Sequence, residues 1–146
     1  MKKSELKIPN AILTLAEKGI WPNEQLSSYQ EGCNFIEDEV LVQKIAPDEK
    51  YIFFHTLSGF HTMADEIMFD EELWHEIGAL DQIDVNKCLV IGDFGLGSDS
   101  PIILDYSENY EHPTVKRLVW KSDVNKNYWV VIAKDMEEFV KILELF

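Results

Sequence analysis

A chain of 146 residues with 27 acidic against 13 basic side chains carries a formal charge of −14, a balance that excludes nucleic acid and anionic membrane as direct partners. The length is that of one domain spanning 1–146, and 46% hydrophobic residues suffice for a core, since chains of this size bury about 68–70% of their unfolded surface. No apolar run is long enough to span a bilayer, and MKKSELKIPN has lysines with no apolar stretch behind them, so no secretory signal is expected.

Cys33 and Cys88 then read as reduced thiols of a cytoplasmic protein. The charge is unevenly placed. Between Tyr51 and Val115 there are 13 acids and a single base, Lys87, so this stretch holds −12 of the −14. Charge alone leaves two readings open: solubility, or complementarity to a basic partner.

In chain order, a first helix is expected from about Ala11 to Lys18, with Asn10 as its N-cap and Gly19 in the left-handed position after its end. Val40, Leu41, Val42 and Ile45 suggest a strand. Tyr51–His55 reads as a buried strand, and Met63–Phe69 as a second one after the Ser58-Gly59 turn. Asp70 suits the N-cap of a helix running to about Leu80, apolar through Leu73, Trp74, Ile77 and Leu80 and acidic through Glu71, Glu72 and Glu76. Cys88–Ile91 and Ile102–Tyr106 are further strands, followed by a hairpin of Lys116–Lys121 and Tyr128–Ala133. Trp120 and Trp129 within that hairpin read as core or cross-strand packing. A last helix opens with the capping-box pattern Asp135-Met136-Glu137-Glu138, then lines Met136, Phe139, Val140 and Leu143 on one face. Strands on short turns with helices around them predict an α+β domain with a mostly antiparallel sheet.

The run IGDFGLGSDSPIILDY, residues 91–106, stands out. Gly92, Gly95 and Gly97 give a loop the backbone freedom that other residues lack. Asp93, Asp99 and Ser100 can bond their own turn amides, and Pro101 pre-sets the following strand. The glycine spacing is not that of a dinucleotide fingerprint, and no lysine follows as in a P-loop. Asp93-Phe94-Gly95 matches a kinase metal-binding tripeptide, but the chain is too short for a kinase and lacks its catalytic loop. Asp93, Asp99 and Asp105 do not have calcium-loop spacing. The histidines at 55, 61, 75 and 112 form no zinc-ligand pattern. No catalytic residue, metal or cofactor is expected, and the chain reads as a non-enzymatic binding module. For partner binding, the loop side of the sheet, with Phe94, Asp99, Tyr106, Glu108 and Tyr110, is favoured over the acidic helix, because hot spots pair charges with aromatic anchors.

From Val90 to Phe146 the chain resembles the SUKH superfamily. The resemblance rests on GDFGxGSDSPIxLDY at 92–106, with Pro113, Leu118-Val119-Trp120, Trp129-Val130-Val131 and the amphipathic helix around Phe139 as weaker support. The first half departs from the pattern, with Ile8-Pro9 and Gly19 as faint echoes of its opening helix and turn. The resemblance implies an α+β protein-binding module, similar in bacteria to immunity proteins that neutralise a cognate polymorphic toxin, often a nuclease or nucleic-acid deaminase. It leaves open a regulatory adaptor or scaffold of the cell-wall-regulator type.

Overall fold

The computed structural model describes residues 5–22, 35–94, 100–120 and 127–145. Helix α1 (Asn10–Glu17) buries Ile12, Leu15 and Ala16, and Gly19 takes φ 74° just past its end. Its N-cap is Pro9, whose fixed φ suits the entry, and Asn10 lies inside the first turn instead. Strand β1 (Phe35–Ile36) precedes α2 (Glu39–Gln43). The strand expected at Val40–Ile45 is therefore a helix. Asp38 accepts the amides of Val40 and Leu41, and Val42, Ile45 and Ala46 recur at helical spacing as the buried stripe.

Strand β2 (Ile52–Phe54) leads through a 3₁₀ turn at Leu57–Gly59 to β3 (His61–Thr62) and α3 (Met63–Phe69). Here too the expected strand is a helix. The Thr62 hydroxyl accepts the Asp65 amide, Asp65 and Glu66 sit in the first turn where the dipole favours them, and Met63 and Ile67 share the buried face. Asp70 caps α4 (Glu71–Ile77) by accepting the Leu73 amide. This helix stops three residues short of Leu80, at Gly78, with φ 73°, and Ala79 follows in the left-handed region.

Strands β4 (Cys88–Asp93), β5 (Pro101–Asp105), β6 (Thr114–Val119) and β7 (Tyr128–Ala133) precede α5 (Met136–Ile142). Asp135 caps α5 through the Glu138 amide, while the Glu138 carboxylate reaches back to the Lys134 amide. The sheet runs β1-β2-β4-β5-β6-β7, and all its pairings are antiparallel; β3 pairs β4 alongside β2 on the same edge.

The protein is thus an α+β fold with an antiparallel sheet flanked by helices. Successive residues of the central strands point to opposite faces, and both faces are covered, which explains why every residue of β5 is buried. On one face Leu89, Ile91, Ile102 and Leu104 pack with Ile12, Val42, Phe139 and Val140 of α1, α2 and α5. On the other, Cys88, Val90 and Ile103 pack with Met63, Trp74 and Ile77 of α3 and α4. Trp21 stacks on Phe54 at 4.1 Å and donates its indole N–H to His55 O.

The start of the edge strand β7 is covered by a side chain. The Gln82 amide donates to Asn127 O and accepts the Trp129 amide, bonding the outer side of β7 as a neighbouring strand would. Trp129 and Asn127 answer by donating their side-chain N–H groups to Ala79 O and Ile77 O.

Candidate functional site

The loop highlighted in the sequence is shorter than expected. Gly92 and Asp93 belong to β4, Pro101 opens β5, and the Phe94 amide donates to Ser100 O across the base of the turn. Gly95, Gly97 and Asp99 lie outside the described residues. Gly92 does not take a positive φ; it sits at a bulge between Val90 and Gly92 in the β4–β5 register.

Two of the aromatic residues expected to meet a partner are core residues. Phe94 is 1% exposed, with the Arg117 guanidinium 5.3 Å from its ring centroid. Arg117 is itself buried and donates to the Asp48 carboxylate at 2.6 Å. Tyr106 is 4% exposed, and its hydroxyl donates to Lys7 O at 2.6 Å, while burial pushes its phenol pKa up. Tyr110 is partly exposed, leans against the Tyr106 ring and donates its hydroxyl to Glu5 O. With the Lys7–Glu111 ion pair at 2.6 Å, the two tyrosines strap residues 5–7 to the turn after β5. Phe94 and Tyr106 therefore have no surface to offer a partner, and β5 keeps the expected residues apart: Phe94 lies at the Asp93–Pro101 end of the β4–β5 pair, whereas the exposed Glu108 and Tyr110 follow its Cys88–Asp105 end.

Three polar clusters lie elsewhere. Burial raises the Asp105 carboxyl, but the Lys116 ammonium at 2.8 Å and the Ser107 amide together outweigh it and hold the group below the usual carboxylate range. Cys88 lies beside Asp105, and burial, reinforced by that charge, pushes its thiol up, so the sulfur stays protonated. The second cluster joins β2, β3 and α3. His61 Nδ1 lies 2.8 Å from Gly59 O and Nε2 lies 3.0 Å from Glu66 Oε2, an arrangement that only the imidazolium satisfies at both nitrogens. Burial opposes that charge, but these bonds prevail and His61 titrates above its ordinary value. Burial, then the neighbouring His61, pushes His55 the other way. In the third, ligand atoms of His112, Asp135 and Glu137 converge within 4.8 Å at the surface. Asp135 is already engaged as the α5 cap, and His112 Nδ1 lies 3.9 Å from a carboxylate oxygen of Glu137.

The α3–α4 layer is the most charged part of the described surface by sequence. From Met63 to Lys87 it holds eight acids (Asp65, Glu66, Asp70, Glu71, Glu72, Glu76, Asp81 and Asp84) against Lys87, and all but Glu66 are exposed. At the end of α3, Met68 and Phe69 are 72% and 77% exposed. Reading this segment as a buried strand hid them. Helical spacing from Met63 and Ile67 would have placed them off the buried stripe.

No family model, no curated protein and no solved structure matches this chain. Among the described residues no helix is long and apolar enough to cross a membrane.

Proposed function

We propose that this protein is a cytoplasmic immunity protein that binds a cognate toxin with a basic, nucleic-acid-processing domain and neutralises it by occluding or distorting its active site. The observation that carries the reading is the segment Met63–Lys87, which contains α3 and α4, with eight acids, seven of them exposed, against one lysine. A domain that handles nucleic acid needs a cationic cleft, and an anionic surface of this kind steers toward such a cleft and competes with its substrate. The resemblance of IGDFGLGSDSPIILDY to the SUKH superfamily supports the same reading.

The toxin candidate is the C-terminal domain of the reading frame directly upstream. Co-expression in a sensitive host tests the proposal: growth should stop with that domain alone and recover when this protein is present. Unrelieved growth arrest, or no toxic domain upstream, refutes the immunity reading and leaves the adaptor alternative.

A further inference from the structure

Resting on that reading, we infer that the toxin docks on the α3–α4 corner, with Phe69 and Met68 as its apolar anchor and the surrounding carboxylates as its charged rim.

Isolated exposed apolar residues are ordinary on protein surfaces. Here two large ones follow each other at the end of α3, each more than 70% exposed, at the junction of two helices rich in acids. Their surroundings divide the work of binding. Asp65 lies four residues before Phe69, one helical turn away, and Asp70 follows it directly. Glu71 and Glu72 open the next helix. An apolar centre inside a charged rim is the usual layout of an interface whose affinity comes from the centre and whose approach is guided by the rim. Phe69 also has a neighbour at its base: the His61 ring meets it edge-on at 5.9 Å and 89°, and His61 bonds Gly59 O and Glu66. An aromatic side chain has only two torsions to lose on binding, and the flexible Met68 next in the chain adapts to the partner's shape.

Charge chooses the occupant. Nucleic acid and anionic lipid are repelled by this face, and a second copy would bring its own −14 to the contact. A basic protein surface with an apolar residue among its lysines or arginines fits.

The test compares full-length wild type, a Met68→Ser/Phe69→Ser variant and a Glu108→Lys/Tyr110→Ala variant, titrated calorimetrically with the purified, active-site-inactivated toxin domain from upstream. Both residues of the first pair are exposed, so its melting temperature should match wild type, and its affinity should fall at least about tenfold. The second variant should bind within about threefold of wild type. A further variant, Glu71→Lys/Glu72→Lys, should slow association several-fold with little effect on dissociation. If wild type binds and Met68→Ser/Phe69→Ser binds equally well, the docking site is overturned while the immunity reading stands. If wild type sediments as a dimer that this variant dissolves, the corner is a self-interface and the inference is overturned. If wild type does not bind the domain, the inference and the proposed function fail together.

Discussion

At Gly92 a Cβ would stand 2.5 Å from Phe53 O and 3.4 Å from Phe54 Cα. The neighbouring strand β2, not a turn, forbids a side chain there. Gly92→Ala should push β2 off β4 and cost about 1–3 kcal/mol, the scale of overpacking in a close-packed interior, measured by urea denaturation. The sequence marked this glycine but gave it the wrong duty, because Phe53 approaches only through a pairing between residues about 40 apart in the chain. Tyr106 teaches the same point. Its sequence neighbours, acids and a second tyrosine, suggested a contact surface, whereas its hydroxyl is engaged with Lys7 O, 99 residues away. Tyr106→Phe should destabilise by about 0.5–1.5 kcal/mol, with faster amide exchange concentrated in residues 5–8. Uniform exchange across the chain would show that the strap is not local.

The elements that local chemistry announces were legible. Helices α4 and α5 each have an aspartate cap and an apolar stripe, and both begin where expected. Helices α2 and α3 were read as strands because Val40-Leu41-Val42 and the apolar residues of 63–69 outweighed the caps at Asp38 and Thr62 that decide them. Of the sheet order, the β6–β7 hairpin was legible; the rest was not, since the Ser58-Gly59 signal marks a turn without saying that β2 and β3 share one edge of β4 across it. That junction carries a pH dependence. His61 binds its proton more tightly folded than its ordinary value of 6.5, so its contribution is complete below 6.5 and is lost as pH rises through the raised value. His55 works in the opposite sense: lowered from 6.5, it contributes above that value and loses the contribution as pH falls through its folded pKa. Glu66→Gln removes the partner of His61 and should therefore be less stable than wild type at about pH 5.5, with the gap shrinking toward about pH 9. Denaturant melts of both proteins at the two pH values measure this, and an NMR titration should show His61 deprotonating above His55.

For the whole molecule, the net charge was legible from composition, and the concentration of eight of its 27 acids between Met63 and Lys87 was partly legible through α4. A charge of −14 repels itself in the compact state, so added salt should raise the melting temperature between about 20 mM and about 500 mM NaCl. The same salt should slow association with a basic partner, so stability and on-rate should move in opposite directions in one buffer series. A different hazard is written into the edge of the sheet. Strand β7 is outermost and shows Tyr128 and Val131 to solvent, and an open strand of this kind recruits other chains into growing sheets. The Gln82 amide occupies the template position, giving Asn127 and Trp129 the bonds that a foreign strand would otherwise supply. Gln82→Ala should leave the monomer folded but shorten its lifetime in concentrated solution, seen as earlier onset of light scattering and thioflavin fluorescence than wild type at equal concentration. A single glutamine would then set how long the protein survives crowded among copies of itself.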